Sequence, residues 1–178
     1  MEFSELIKSR QSDRKYDSSR MVDRNLIVQC LEAARLAPSA CNSQPWKFVV
    51  VDDAKILPDM AHAASSMGMN KFAVQAPVLI AVVLEKMNLT ARLGSVIKDK
   101  EYSLLDVGIA VEHFCLQAAE LGLGTCIMGW FDEKKVAQLL GIKRRRIPLL
   151  ISLGYSAADH REKTRKPLDV MSSWNCYE

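Results

Sequence analysis

The sequence lacks any apolar run long enough to cross a bilayer. Its longest clean run, Ala76 to Leu84, falls far short of the ~18 residues that a membrane-spanning helix needs. The amino-terminal stretch carries Glu2 and Glu5 where a secretory signal peptide would carry positive charge. We therefore expect a cytoplasmic protein that does not associate with membranes.

The sequence also lacks cysteine pairs and histidines at metal-ligand spacing. Its five cysteines are an odd number with no Cys-x-x-Cys pair: Cys30, Cys41, Cys115, Cys126 and Cys176. Its three histidines are far apart along the chain: His62, His113 and His160. These patterns predict mostly buried, reduced cysteines and no metal site.

The sequence has almost no excess of charge of one sign. It contains 24 Lys and Arg and 21 Asp and Glu, which gives a net charge of +3. A basic run from Lys143 to Arg146 has no interleaved aromatic residues, so it indicates a solvated loop, with nucleic-acid contact the lesser alternative.

The 178 residues are 49% hydrophobic and 25% charged, and no linker or repeat divides them. We therefore predict one globular domain over residues 1–178, with no nucleic-acid partner.

Familiar catalytic motifs are missing as well. The chain has no Gly-x-Ser-x-Gly elbow and no Walker loop. Gly122 and Gly124 begin a spacing like that of a dinucleotide fingerprint, but Ile127 stands where the third glycine belongs, and the glycines follow a predicted helix. Cys41 could be a reactive thiol, yet nothing in the sequence places a base beside it. The sequence therefore predicts no protein nucleophile and no acid–base pair.

Hydrophobic periodicity predicts alternating helices and strands. The predicted helices are Phe3 to Ser9, one that Asp23 caps and that ends near Ala37, Asp53 to Ala64, Tyr102 to Leu121, and one that Asp132 caps and that ends at Leu140. The predicted strands are Trp46 to Val51, Pro77 to Leu84, Thr125 to Trp130, and Ile147 to Leu153.

The most apolar of these helices, Tyr102 to Leu121, is expected in the core or at a subunit interface. Its predicted apolar stripe is Leu104, Leu105, Gly108, Val111, Cys115, Ala118 and Leu121. The last two dozen residues are polar and have no core of their own, so we expect them to extend along the body or across to another chain.

Two basic segments could together bind an anion. The first, Arg10 to Tyr16, places two guanidinium groups and a hydroxyl within five residues, a donor set that suits phosphate. The second, Arg161 to Leu168, contains Lys163 and Arg165, which point the same way in an extended chain. Taken alone, each segment is more typical of a solvated basic surface.

A loop between two prolines, Ala37 to Trp46, carries small and amide-bearing side chains ahead of a predicted strand. Such a rigid loop can present hydrogen-bonding groups to a planar ligand, and it can equally be an ordinary helix-to-strand connection. Gly129, at the end of another predicted strand, either allows a flat ring to approach the backbone closely or marks a bulge.

In this order, the segments resemble the FMN-dependent nitroreductase family of NAD(P)H nitroreductases and flavin reductase-like proteins. The resemblance runs from Phe3 to Leu168, and its most specific parts are Ser9 to Tyr16 and Ala37 to Trp46. Supporting parts are Leu121 to Thr125, Met128 to Trp130, Leu153 to Tyr155, and Lys163 to Pro167. The resemblance implies an α+β fold with a central mixed, mostly antiparallel sheet flanked by helices. It also implies an intertwined homodimer with two FMN sites at the interface.

The resemblance further implies which residues bind the phosphate end of FMN. Arg10 and Ser12 match positions that hold the phosphate and the ribityl chain, and Gln11 between them belongs to the same cofactor-binding set. Lys163 and Arg165 match a late basic pair at the same phosphate.

Other positions match residues around the flavin ring. Arg14 matches a cation near the pyrimidine edge, where positive charge favours the reduced flavin and raises its reduction potential. Met128 and Gly129 match the backbone beside flavin N5. Asn70 and Lys71 match an amide and a base near the pyrimidine ring, in a region that aligns poorly.

The proline-bracketed loop matches one that the other subunit lays against the ring. Pro38, Ser39 and Asn42 occupy the matching positions, and Gln44 supports the loop. In such a protein the cofactor performs the chemistry, which accounts for the absence of a protein nucleophile or acid–base pair.

The resemblance implies an FMN-dependent oxidoreductase. NAD(P)H reduces the bound flavin, and a nitroaromatic, a quinone or a similar electron-poor acceptor then takes two electrons from it in a ping-pong mechanism. The alternative is a flavin-binding or specialised flavin-chemistry protein of the same fold without general NAD(P)H-dependent turnover.

Overall fold

The computed structural model describes residues 1–177. Its helices are α1 (Phe3–Ser9), α2 (Arg24–Arg35), α3 (Leu57–Ala64), α4 (Leu89–Lys98), α5 (Tyr102–Glu120), α6 (Glu133–Leu139) and α7 (Leu168–Met171). Short 3-10 turns span Ala40–Asn42, Ser66–Gly68 and Lys71–Gln75. The strands are β1 (Trp46–Val51), β2 (Val78–Leu84), β3 (Gly124–Met128) and β4 (Leu149–Gly154). Within residues 1–177, every helix is too short or too polar to cross a bilayer.

The four strands form one sheet in the order β1-β2-β4-β3, with every neighbouring pair antiparallel. One parallel contact joins this sheet, an isolated bridge between Ser12 and Thr125 at the β3 edge. The α+β class and the mostly antiparallel sheet that the resemblance implied are confirmed.

Helices pack on both faces of the sheet because β2 is apolar on both of its faces. Val78, Ile80 and Val82 join one buried cluster with residues of α2 and α5, while Leu79 and Ala81 join a second cluster with residues of α3 and α6. Successive side chains of a strand alternate between faces, so an unbroken apolar run is what a strand covered on both sides requires.

Helix α5 has a buried face and an exposed one, and the predicted apolar stripe mixed the two. Val111, Cys115 and Ala118 are buried as expected, together with residues such as Phe114. Leu105 at the start of the predicted stripe is instead 60% exposed. Leu104 and Gly108 are exposed beside it. Both faces of this helix carry apolar side chains, so periodicity could not tell which face the sheet covers.

The ends of two strands differ from their predicted places because of how the strands pair. Strand β3 stops at Met128 instead of Trp130, and β4 begins at Leu149 instead of Ile147. The register pairs Met128 with Leu150, so Trp130 would face Pro148, whose nitrogen cannot donate to the ladder.

Helix α3 begins at Leu57 instead of Asp53 because the Asp53 carboxylate accepts from Lys55 N at 2.7 Å and holds a turn there. Helix α4 was not predicted, although its N-cap Asn88 accepts from Ala91 N at 2.9 Å. The predicted caps Asp23 and Asp132 do accept from backbone N–H groups of α2 and α6.

Replacing Gly154 by alanine should destabilise the protein by about 1–3 kcal/mol. A Cβ at this position would lie 2.7 Å from Pro77 Cδ and 3.0 Å from Tyr16 Cδ1, inside a buried part of the sheet. Gly94→Ala is the matched control. A Cβ at Gly94 would lie 3.9 Å from the Tyr102 ring, which is ordinary contact, and Gly94 lies inside α4, where alanine favours the helix. Urea unfolding measures the free energy of unfolding of both variants. Equal free energies for the two variants would contradict the prediction.

Candidate functional site

The first basic segment lies along the edge of the sheet beside β3. Ser12 bridges to Thr125, and Asp13 N donates to the Thr125 carbonyl oxygen at 2.8 Å. Tyr16 holds the far end, because its buried Oη donates to the Asp13 carbonyl oxygen at 3.0 Å and lies 2.7 Å from Ser152 Oγ. Burial raises the pKa of the Tyr16 hydroxyl, so it stays protonated and can serve as a donor.

The second basic segment docks on the first. Arg161 N donates to Gln11 Oε1 at 3.0 Å, and Arg161 Nη2 donates to the Ser12 carbonyl oxygen at 2.7 Å. Lys163 Nζ donates to the Ile7 carbonyl oxygen in α1. The two segments thereby line one cavity of about 230 Å³ whose walls are Arg10, Gln11, Ser12, Arg14, Arg161, Glu162, Lys163, Thr164 and Arg165.

The electrostatics of this cavity suit an anion. Burial lowers the pKa of Lys163, and the positive charges of Arg10 and Arg165 lower it further. Cations that repel one another at close range are stabilised by a bound anion, and guanidinium groups match the geometry of phosphate oxygens. Glu112 on α5 offsets part of the positive charge, since its Oε1 lies 3.4 Å from Arg10 Nε. The donor set therefore fits the phosphate of FMN.

The residues expected near the flavin ring cluster just past the end of β3. Asn70 Nδ2 donates to the Trp130 carbonyl oxygen at 2.7 Å, which brings Asn70 and the adjacent Lys71 to the stretch that contains Met128 and Gly129. Gly129 is exposed, and the position of a Cβ on it has no heavy atom of residues 1–177 within 4 Å, apart from its chain neighbours. A flat ligand can therefore approach the backbone at Gly129.

Arg14 connects the two clusters. Its side chain lines the cavity, and it follows Ser12, which bridges to Thr125 in β3, by two residues. Burial raises the pKa of the Cys126 thiol in β3, and the positive charge of Arg14 acts against that rise. Arg14 thus belongs to the cavity wall and also acts on β3.

The proline-bracketed loop is held away from this cavity. Ala40 N donates to both carboxylate oxygens of the buried Asp106 at 3.1 and 3.2 Å, which fixes the loop to the start of α5. Asn42 and Gln44 have φ of 51° and 47°, and Gln44 Nε2 donates to Asn42 Oδ1 at 2.9 Å.

In the part of the chain that the structure describes, the cavity lining includes neither the loop residues nor the ring-end residues, namely Pro38, Ser39, Asn42, Gln44, Lys71, Met128 and Gly129. Gln44 N donates to Ser39 Oγ at 2.9 Å, so the loop has a defined shape of its own. The single chain therefore assembles the cationic cavity and leaves the backbone at Gly129 open, with the loop facing outward.

A sequence profile of the Nitroreductase family matches residues 7–155. The chain belongs to the nitroreductase family. The matched range includes the first basic segment, the loop and β3, and it ends before Arg161.

Nitroreductase relatives resemble the chain over nearly its full length. The oxygen-insensitive NADPH nitroreductase of Helicobacter pylori is 28% identical, covering 96% of this chain and 95% of that protein. A nitroreductase family protein from Streptococcus pneumoniae superimposes with a TM-score of 0.82 at 27% identity, covering 97% of this chain and 99% of that one. An FMN-dependent nitroreductase from Clostridium difficile does so with a TM-score of 0.79 at 27% identity, covering 97% and 98%.

Sequence reasoning missed Arg161, which lines the cavity and bonds directly to the first basic segment. The signal was present, because Arg161, Lys163 and Arg165 alternate along an extended chain and should share one side. It also missed Asp106, the buried carboxylate that positions the loop of this nitroreductase family member.

Proposed function

We propose that the chain is a single FMN-binding nitroreductase domain that transfers two electrons from NAD(P)H to nitroaromatic, quinone or similar electron-poor acceptors by a ping-pong mechanism. The observation that supports this proposal most directly is the cationic cavity that the two basic segments form together. The names of the relatives support NAD(P)H and FMN as co-substrate and cofactor. A reducing compartment such as the cytoplasm suits the thiols of Cys30, Cys115 and Cys126, which are buried.

At the phosphate end, the chain's task is to bind and orient. Arg10, Lys163 and Arg165 supply the positive charge that replaces the hydration of a phosphate, and Ser12 supplies a hydroxyl donor beside them. Gln11 acts less directly, since its Oε1 accepts from Arg161 N and keeps the second segment in place. Phosphate binding at this end sets where the ring lies along β3.

At the ring end, bound FMN supplies two-electron transfer at N5. With FMN bound, the positive charge of Arg14 would stabilise negative charge on the pyrimidine side of the ring and raise the reduction potential. The backbone at Met128 and Gly129 would face the ring without adding a competing acid. Asn70 and Lys71 would hold the pyrimidine edge, and the hydrogen bond from Asn70 to the Trp130 carbonyl oxygen keeps them near that backbone.

The loop completes the site from a second copy of the chain. Helix α5 leaves Leu105 and Ile109 exposed at one end, and α4 leaves Val96 and Ile97 exposed, so apolar surface is available for a homodimer. In that dimer the loop residues Pro38, Ser39 and Asn42 of one chain cover the ring bound by the other, and Gln44 supports the loop.

The purified protein should be yellow with a flavin absorption band, and the band should bleach when NADH or NADPH is added without oxygen. Steady-state oxidation of NAD(P)H with a quinone or a nitroaromatic should then follow ping-pong kinetics. A colourless protein that takes up no FMN would defeat the proposal. A yellow protein that NAD(P)H fails to bleach would instead be a flavin-binding or specialised flavin-chemistry protein.

A further inference from the structure

We propose that Asp13 is a positioning residue that holds the two basic segments in register around the phosphate end of the site; the inference rests on the proposed FMN binding. Asp13 is only 5% exposed, although it lies in a segment of arginines and lysines. Its Oδ1 accepts from Gln11 Nε2 at 2.9 Å and from Ser156 Oγ at 2.7 Å. One carboxylate oxygen therefore links the first basic segment to the chain that follows β4.

The contact continues from Asp13 to the second basic segment. Gln11 donates through Nε2 to Asp13, which orients its amide so that Oε1 accepts from Arg161 N at 3.0 Å. Arg161 Nη2 returns to the Ser12 carbonyl oxygen at 2.7 Å. Lys163 and Arg165 follow a few residues further on, so the docking of Arg161 contributes to their placement together with the hydrogen bond from Lys163 Nζ to the Ile7 carbonyl oxygen.

Gly124 makes room for the Asp13 side chain. A Cβ on residue 124 would lie 2.7 Å from Asp13 Oδ2 and 2.8 Å from Asp13 Cγ, closer than real Cβ atoms approach other atoms. The backbone around Asp13 is also fixed independently of its carboxylate. Asp13 N donates a hydrogen bond to the Thr125 carbonyl oxygen, and Tyr16 Oη donates one to the Asp13 carbonyl oxygen. Asp13 can therefore be replaced while the segment stays on β3.

The direction of the change in phosphate binding distinguishes a positioning role of Asp13 from a purely electrostatic one. A carboxylate near a phosphate site repels the phosphate, so by charge alone its removal would tighten phosphate binding. Asp13→Asn removes the charge but keeps an oxygen that can accept from Gln11 and Ser156. Asp13→Ala removes both the charge and the acceptor. Positioning predicts that only the alanine variant weakens phosphate binding.

The first test uses ligand-free protein and limited trypsin digestion, with cleavage after Arg161 and Lys163 followed by mass spectrometry. Loss of the hydrogen bonds to Asp13 should open the segment and raise the cleavage rate there about tenfold in Asp13→Ala. Gln11→Ala, at a half-buried position, should do the same and decides the test if Asp13→Ala fails to fold. Asp13→Asn should digest like the unsubstituted protein. Asp17→Ala, which removes a carboxylate bound to Ser19 outside the cavity, is the matched control.

The second test compares the affinities for FMN and for riboflavin, which lacks the phosphate, by titrating flavin fluorescence. Asp13→Ala should weaken FMN binding about tenfold and riboflavin binding less than about twofold, while Asp13→Asn should bind FMN at least as tightly as the unsubstituted protein. Tighter FMN binding by both variants, or unchanged trypsin cleavage in Asp13→Ala and Gln11→Ala, would overturn the proposal. If the unsubstituted protein binds neither flavin, the proposed function fails, and the trypsin result still decides the role of Asp13.

Discussion

Replacing Arg10 by alanine is expected to weaken FMN binding by roughly 10- to 150-fold, the effect of losing one charge-assisted hydrogen bond of about 1.5–3 kcal/mol. Arg10 is a half-buried cation of the cavity wall, with 20% of its side chain exposed. It stands at the end of α1, where its backbone N donates to the Leu6 carbonyl oxygen at 3.0 Å. This hydrogen bond holds the backbone of residue 10 at the wall of the cavity.

Arg35→Ala is the matched control for this experiment. Arg35 is an exposed guanidinium on α2 that pairs with Glu32 at 2.7 Å, so its removal changes the net charge equally without touching the cavity. Each variant is loaded with FMN and dialysed, and the absorbance of the flavin that stays with the protein measures FMN retention. Equal retention of FMN by Arg10→Ala and Arg35→Ala would remove Arg10 from the phosphate site.

The double substitution Leu105→Glu with Ile109→Glu is expected to raise the dissociation constant of the proposed homodimer by roughly a hundredfold or more, because it would bury charge in the apolar interface proposed at α5. Leu105 is 60% exposed and Ile109 40% exposed in the single chain, on the face of α5 that the sheet does not cover. FMN binding should fall with dissociation, since the proposed ring site needs the loop of the second chain.

Analytical ultracentrifugation and FMN titration at the same protein concentration measure both effects. Met21→Glu adds one negative charge, against two in the double variant, at an exposed apolar side chain in a loop, and it should leave both properties unchanged. If the double variant remains a dimer with full FMN affinity, the exposed face of α5 is not the subunit contact.

The cationic cavity and the open backbone at Gly129 are joined through β3. The Ser12–Thr125 bridge sets the first basic segment against the start of the strand, and Met128 ends the strand at the point where pairing with β4 stops. A ligand with an anionic end and a flat end can therefore lie along one strand edge. If that ligand is the proposed FMN, the cofactor performs the chemistry and no protein nucleophile is required.

Some parts of the fold follow from local pattern alone. The unbroken apolar run of β2 predicts a strand that is covered on both faces, and both faces are buried. The N-caps Asp23 and Asp132 were also predicted correctly, since a carboxylate ahead of a periodic apolar pattern satisfies free N–H groups within its own turn. Each of these depends on atoms only a few residues apart.

Other parts depend on partners far along the chain. The end of β3 at Met128 follows from Pro148 on the neighbouring strand, which the sequence near Met128 does not reveal. The role of Arg161 follows from its hydrogen bond to Ser12, 149 residues away. A buried Asp13 beside arginines looks like a surface residue until Gly124 and Ser156 are seen around it.

By itself, the sequence determined the kinds of side chain available for the site and the motif order that places the chain in the nitroreductase family. It also determined which stretches could form strands buried on both faces. Only the tertiary structure decided which cations meet, which face of α5 stays exposed, and where the loop lies. The physical reason is that side-chain spacing controls local hydrogen bonding and periodicity, whereas a cavity forms where distant segments dock, and docking depends on the packing of the whole sheet.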